Sequence, residues 1–193
     1  MLRPLVQTNF QSSFLSVDKD TNLILRKLLI ESRPYSDMLK RLLLIPERDC
    51  ITNMSNIVYN KTIQEASIKW LWENGYITNN PKIKLKEYDE KKSILLITFD
   101  NFTRNKTNPQ FRDCQVSFQI LSHNDLWDIG DYQIRPVKIA GYIDGILNNC
   151  RLTGIGTFQF QGGQLLKINE QYMGYSIVYN AIHGSDDEIP QEG

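Results

Sequence analysis

Residues 113–149, DCQVSFQILSHNDLWDIGDYQIRPVKIAGYIDGILNN, contain the change of period that decides the fold. At the start of this stretch apolar and polar side chains alternate, which predicts a β-strand with one buried face. The residues on that face are Cys114, Val116, Phe118 and Ile120. At its end, Arg135-Pro136 opens a run with helical spacing, and proline is common in the first turn of a helix. A strand followed by a polar joint and a helix therefore forms the centre of the predicted domain.

Further alternating segments extend this strand into a sheet. They are SILLITFD (93–100), GTFQFQ (156–161), QLLKIN (164–169) and GYSIVYNA (174–181). Gly162-Gly163 separates two of them, and a glycine pair between strands predicts a two-residue hairpin turn. PKIKLKEYD predicts a lysine-rich edge strand, so that residues 82–100 form a hairpin. We expect mostly antiparallel pairing.

Two short amphipathic helices are predicted ahead of the sheet. DTNLILRKLLIES has a helical apolar stripe, with Asp20 or Thr21 as the candidate N-cap. Pro34 disfavours helix at the residue before it and ends this first helix. YSDMLKRLLLIP then begins a second helix, for which Ser36 is the candidate cap.

A further helix is predicted for KTIQEASIKWLWENG, residues 61–75, because Thr62 and Glu65 have the spacing of a capping box. The predicted fold class is therefore α+β: a helical N-terminal segment followed by a mostly antiparallel β-sheet with one crossing helix packed on it. The predicted divisions are an extended arm (1–19), a helical segment (20–75), an α+β domain (76–184) and an acidic tail (185–193).

Composition excludes several classes of protein. Lys+Arg and Asp+Glu both number 22, so no global charge favours nucleic acid or a membrane surface. The three cysteines match no metal-binding spacing, which favours reduced thiols inside a cell. We expect no membrane-spanning segment and no secretory leader. In the N-terminal arm, Phe10, Phe14 and Leu15 are apolar anchors suited to docking into a partner.

The joint SHNDLWDIGDYQIRP, residues 122–136, has two interpretations. His123, Asp125 and Asp128 could supply metal ligands for a hydrolase, but no second cluster completes a zinc shell and no late glutamate completes a calcium loop. The alternative is a structural joint of turn formers, apolar anchors and the start of a helix. Its residues are Trp127, Asp128, Asp131, Arg135 and Pro136. We favour the structural joint.

Motifs of other catalytic sites are absent from the sequence: there is no P-loop, no GxGxxG after a strand, no GxSxG and no HExxH. We therefore expect a protein that is not an enzyme and that needs no metal or other cofactor. Residues 101–112 predict a polar loop in which Arg104, Lys106 and Arg112 could contact nucleic-acid phosphates without sequence readout. The alternative is a solvated loop that orders against a neighbouring subunit.

The C-terminal half resembles the neck, or head-to-tail connector, proteins of tailed bacteriophages, including tail-terminator-like and head-completion families. The resemblance covers residues 94–184 and rests on the order HNDLW, RPVKIAGYIDGILNN and LTGIGTFQFQGGQLLKINEQYMGYSIVYNAIHG. The helical DKDTNLILRKLLIESRPYSDMLKRLLLI is similar to the start of such proteins. Tail terminators are usually compact, so the first 75 residues are a departure from that pattern.

The resemblance implies a structural virion protein that forms a closed ring between the portal and the tail, joins the two and leaves a lumen for the genome. The implied partners are further copies in a six- or twelve-fold ring, a portal or adaptor ring, and a tail or neighbouring neck protein. The 101–112 loop, with Arg104, Lys106 and Arg112, is the implied candidate to reach the lumen or the next ring. Non-specific contact with packaged DNA is a further expectation. The implied location is the neck of the virion, with the host cytoplasm during assembly. A small nucleic-acid-binding or regulatory protein is the alternative, and a metal-dependent hydrolase is a further one.

Overall fold

The computed structural model describes residues 17–80, 90–106, 112–152 and 155–183. Its helices are α1 (Val17–Arg26), continued by a π-helical turn at Lys27–Glu31, α2 (Tyr35–Leu44), α3 (Ile57–Glu65), α4 (Ile68–Glu73) and α5 (Arg135–Leu147). Its strands are β1 (Ile77–Thr78), β2 (Ser93–Arg104), β3 (Arg112–His123), β4 (Arg151–Leu152), β5 (Gly156–Thr157), β6 (Gln159–Lys167) and β7 (Tyr172–His183). Helices precede a mostly antiparallel sheet with one helix packed on it, which confirms the predicted fold class.

The main sheet has five strands in the order β1-β2-β3-β7-β6. The pairing of β1 with β2 is parallel, and β2-β3, β3-β7 and β7-β6 are antiparallel. The separate pair β4-β5 follows α5. Within the described ranges, no helix is long and apolar enough to cross a membrane.

One face of the sheet and the helices share a continuous hydrophobic core. The predicted inward residues of β3 are all buried in it, and they pack with residues of α1, α2 and α5. The crossing helix is fixed at its far end, where the Tyr179 hydroxyl of β7 donates a 2.7 Å hydrogen bond to Asp144 Oδ1. On the opposite face, a second cluster contains Ile94, Leu121 and Tyr172. The N-terminal helices and the sheet are therefore packed together rather than joined by a linker.

The predicted helix caps are wrong. Asp20 and Thr21 lie inside α1, where the Thr21 hydroxyl donates to Val17 O at 2.9 Å. Ser36 also lies inside its helix, because Pro34 occupies the N-cap position of α2. In both places the helix begins earlier along the chain than the first strong capping residue suggests.

The single helix predicted for residues 61–75 is wrong as well, since α3 and α4 replace it. Asn56 caps α3 by accepting from the Tyr59 amide, and Ser67 caps α4 by accepting from the Trp70 amide at 3.1 Å. Thr62 is internal to α3 and is not part of a capping box. A serine at the break starts the second helix in a new direction.

Two predictions about the sheet are also wrong. Gly162 and Gly163 lie inside β6, next to a register shift, and neither has the positive φ that a primed turn needs. The turn instead follows β6, where the Ile168 amide donates to Tyr172 O at 3.1 Å. The loop predicted for 101–112 is shorter, because β2 continues to Arg104 and β3 begins at Arg112. The predicted lysine-rich strand of 81–89 lies outside the described residues.

Candidate functional site

The joint, residues 122–136, runs from the end of β3 to the first turn of α5. His123 ends β3, Asn124–Leu126 form one 3₁₀ turn, and a short loop then returns to the start of α5. A single antiparallel β-bridge between the backbones of Asp128 and Ile134 closes that loop at its base. The joint therefore contains no freely extended chain.

Arg135 is the most heavily bonded side chain of the joint and is only 1% exposed. Its Nε donates to Leu126 O at 2.8 Å. Its Nη1 donates to Leu42 O at 2.9 Å and to Ile45 O at 2.6 Å. Its Nη2 donates to Pro46 O and Glu47 O, both at 3.0 Å. A guanidinium has five N–H groups, so every donor of Arg135 has a carbonyl acceptor.

These acceptors explain why an arginine is needed at this position. Leu42 would normally accept a helical hydrogen bond from residue 46, but Pro46 has no N–H. Arg135 supplies the missing donor and places its charge at the C-terminal end of α2, where the helix dipole favours a cation. Burial lowers the pKa of Arg135 from its usual range. The Arg135 side chain therefore joins the end of α2 to the sheet domain, and all its acceptors are backbone carbonyl groups.

A second buried arginine fixes the chain that runs from α2 to α3. Arg41, in α2, is 1% exposed, and its Nη1 donates to Cys50 O at 3.1 Å and to Asn53 O at 3.3 Å. Its Nη2 bonds to the side-chain oxygen of Asn60 in α3. The chain between α2 and α3 is thus pinned by two arginines.

The tip of the joint is a rigid and strained loop. Gly130, Asp131 and Tyr132 have φ values of +83°, +49° and +60°, and positive φ is unfavourable for the two that are not glycine. The Gln133 amide donates to Gly130 O at 2.8 Å, and the Gly130 amide donates to Asp128 Oδ1 at 2.8 Å. Tyr132 is fully exposed, at 106% of its reference area. The joint therefore presents an aromatic side chain to solvent from a hydrogen-bonded loop.

The remaining predicted residues of the joint support this loop. Trp127 Nε1 donates to Ser122 O at 3.2 Å, and Pro136 is buried in the first turn of α5. The carboxylate of Asp128 forms an exposed ion pair with Arg48. Asp131 is exposed at the tip beside Tyr132.

His123 and Asp125 are close together, but each has another partner. His123 is buried against the edge of the Tyr172 ring, and its Nδ1 accepts from the Asp125 amide at 3.2 Å. Asp125 pairs with Lys91 at 2.6 Å, and the hydrogen bond and charge of that lysine lower the pKa of the carboxyl. Within the part of the chain that the structure describes, no group of three His, Cys, Asp or Glu side chains could hold a metal ion.

The basic residues meet at one end of the sheet. Arg104 and Arg112 are directly opposite each other at the end of the β2-β3 pair, and Lys106 follows in the connection. Residues 107–111 lie outside the described ranges. The docking residues Phe10, Phe14 and Leu15, like the acidic tail, also lie outside them.

The comparisons with known proteins give one match. A model of the YomW family matches residues 36–181, more than half of the chain. The chain belongs to the YomW family. The YomW family is phage-associated, so this is a phage-associated protein. Neither the curated proteins nor the solved structures gave a significant match.

The region that matches the YomW family begins in α2 and ends in β7. It contains Arg41, Arg135 and all the carbonyl groups that they bind. The α2-to-sheet connection therefore belongs to the region that defines this YomW-family protein.

Sequence reasoning missed two features of the surface and one buried side chain. Tyr132 was not singled out, although the Gly130-Asp131 pair before it is a signal for left-handed backbone. The outer edge of β6 was missed because its glycine pair was interpreted as a turn. Arg41 was missed since nothing in a helical stripe marks an arginine as buried.

Proposed function

We propose that this YomW-family protein is a structural component of the phage particle that forms a ring in the neck and joins the head to the tail. The observation that carries the proposal is the order of elements, with helices followed by an antiparallel sheet and a crossing helix that begins Arg-Pro. That order is the one expected from the resemblance to neck proteins. The proposed role is architectural and involves no catalysis.

Exposed apolar side chains supply candidate contact surfaces. At the joint, Tyr132 is fully exposed, and Ile134 and Val137 are 40% and 45% exposed. At the start of α3, Ile57 and Val58 are 82% and 70% exposed. Clusters of this kind favour protein contacts, and tyrosine is enriched among residues that dominate binding energy. A ring would bury such surfaces between copies or against the next ring.

The rigidity of the joint also fits an architectural role. Arg135 fixes the end of α2 to the start of α5, Arg41 fixes the chain that follows α2, and hydrogen bonds within the tip hold its backbone. A surface that is already ordered loses less conformational entropy on association. The proposed docking surface at Tyr132 would therefore need little rearrangement.

Contact with DNA is a second part of the proposal. Because Arg104 and Arg112 are opposite each other and Lys106 is adjacent, positive charge is concentrated at one end of the sheet. Such a cluster would contact phosphates without reading sequence, and its binding would weaken with salt. Filter binding of duplex DNA at increasing salt, with Arg104→Gln and Lys106→Gln as variants, tests this. Binding that survives both changes would contradict it.

Immunogold electron microscopy of purified phage particles tests the location. We expect gold at the head–tail junction in intact particles. Absence of label from intact and partly disrupted particles alike would overturn the proposal.

A genetic test addresses the joint surface. Phages that lack the gene, complemented with the wild-type chain, should yield joined particles, whereas Tyr132→Ala should yield separated heads and tails. Tyr132→Phe is the matched control, because it keeps the aromatic side chain and should yield particles with heads joined to tails. Normal particles from Tyr132→Ala would remove Tyr132 from the proposed contact.

A further inference from the structure

We propose that the outer edge of β6 is a pairing site for β6 of a second copy, so that two molecules join their sheets about a two-fold axis. The pairing residues are Gly163, Leu165 and Lys167. The inference concerns the free protein and does not depend on a location in the phage neck.

The β6 edge is open along most of its length. At its N-terminal end, the Phe160 amide donates to Asn148 Oδ1, and Phe158 exchanges hydrogen bonds with Asn149 and Cys150. From residue 161 to 167, no described residue other than those of β7 bonds to the backbone of β6. An unpaired edge of this length is a template for a strand from another chain.

The hydrogen-bonding pattern between β6 and β7 shows which backbone N–H and C=O groups of β6 face away from β7. Because the Ile168 amide donates to Tyr172 O, residues 168 and 172 are a hydrogen-bonded pair. In an antiparallel ladder such pairs recur at every second residue. The backbone groups of Gly162, Gln164 and Leu166 therefore face β7. Those of the alternate residues 163, 165 and 167 face outward.

The composition of this edge lacks the usual protection against pairing. Natural edge strands are blunted by proline, by several charges, by short length or by a bulge. Between 162 and 167, β6 has no proline and only one charge, Lys167. Its register shift lies at Phe160/Gly162, before the open part. Leu165 is 59% exposed there, and Phe160 and Ile168 at its ends are 45% and 43% exposed.

The edge is complementary to itself. A two-fold axis at Leu165 makes two copies of β6 antiparallel and places Leu165 against Leu165 of the second copy. Gly163 then lies opposite Lys167, so the two lysines do not face each other, and the glycine leaves room for the lysine stem. The outward groups would form about six hydrogen bonds between the chains. This arrangement buries the exposed leucines and keeps the helices of both copies on one face of the joined sheet.

A two-fold contact is complete with two copies, so it does not by itself produce a ring. A ring would need a second, head-to-tail surface such as the one proposed at Tyr132. Together the two contacts would give paired rings facing each other. Twelve copies arranged as two six-membered rings would satisfy both.

Light scattering coupled to size exclusion of the full chain tests the pairing. We expect an even number of copies, with a smallest species of about twice the 22.5 kDa chain mass. Leu165→Lys places two ammonium groups opposite each other, so it should reduce that species to the monomer mass with an unchanged circular dichroism spectrum. The matched control is Ile30→Lys, which places a lysine at an exposed apolar residue of the π-helical turn after α1 and should leave the dimer intact.

Cross-linking tests the register. In a Cys150→Ser background, Leu165→Cys should give a disulfide-linked dimer under mild oxidation, since a hydrogen-bonded pair has Cα atoms about 5.5 Å apart, within the disulfide range. Ile30→Cys in the same background should give none. A monomeric wild-type chain, or equal cross-linking of both variants, would overturn the inference. The gold labelling of particles could still succeed in that case, so the two proposals fail separately.

Discussion

Replacement of Arg135 by methionine is the sharpest test of the α2-to-sheet connection. Methionine is similar in length and apolar, so Arg135→Met removes the donors and the charge and leaves most of the volume filled. We expect the variant to fold but to lose about 3–5 kcal/mol of unfolding free energy, because buried carbonyl groups lose their hydrogen-bond donors.

The magnitude follows from the burial of the acceptors. Of the five carbonyl groups, those of Leu126, Leu42 and Ile45 accept buried hydrogen bonds, whereas those of Pro46 and Glu47 accept partly buried ones. Water can replace the donor at the partly buried pair. The three buried carbonyls would be left unsatisfied, at about 1–3 kcal/mol each. The variant also no longer has to bury a charge, and the desolvation free energy saved in this way offsets part of the loss.

Urea unfolding followed by circular dichroism measures the effect. With a slope of about 2–2.5 kcal/mol/M, a loss of about 4 kcal/mol lowers the midpoint by roughly 1.5–2 M. Arg135→Lys should lie in between, at about 2 kcal/mol, because an ammonium has three donors and lacks the planar fork. The matched control is Arg48→Met, which breaks only the exposed pair with Asp128 and should cost no more than about 1 kcal/mol.

The reasoning would be refuted by an Arg135→Met variant whose midpoint matches that of Arg48→Met. It would also be refuted if Arg135→Lys were indistinguishable from wild type, because five geometrically fixed acceptors would then not matter.

Three further predictions concern glycines and thiols. Gly174→Ala should abolish soluble expression, because the added Cβ would overlap the carbonyl oxygen of Ile120. By contrast, Gly145→Ala lies on an open face of α5. It should raise the unfolding free energy by roughly 0.5–1 kcal/mol, as measured in thermal melts. A thiol reagent at pH 8 should modify Cys150 rapidly and the two buried thiols only after denaturation; rapid modification of all three would contradict the fold. Burial raises the pKa of Cys114 to about 12, so the folded chain keeps a proton that the unfolded chain releases above about pH 8.5. Stability in urea should therefore decline as the pH rises past that value, and a Cys114→Ala variant should show less of this decline.

The parts of the fold that follow a local period could be predicted from the sequence. The alternation around Val116 and Phe118 predicts a strand with one buried face, and both side chains are fully buried. The helical spacing after Arg135-Pro136 predicts α5, and Ile139 and Ile143 are likewise buried. In these segments each residue's environment depends on near neighbours, so the pattern is sufficient.

The remaining features depend on contacts between distant residues. Arg135 bonds carbonyl groups about 90 residues earlier in the chain, and no local pattern reveals them. Gly162-Gly163 resembles a turn locally, yet pairing with β7 keeps it extended. Asn56 and Ser67 are the N-caps of α3 and α4. Thr62 has the spacing of a capping box, but it lies inside α3 and caps no helix. Local signals identify candidates, and tertiary contacts select among them.

The choice of acceptors for Arg135 has a consequence in acid. The hydrogen bond and charge of Lys91 lower the pKa of Asp125, so protonation breaks the exposed Lys91–Asp125 pair only in the acidic range below the usual pKa of an aspartate. Amide oxygens do not titrate there, and all the acceptors of Arg135 are amide oxygens. The contact of Arg135 with the end of α2 should therefore keep its geometry in acid that breaks the Lys91–Asp125 pair at the surface.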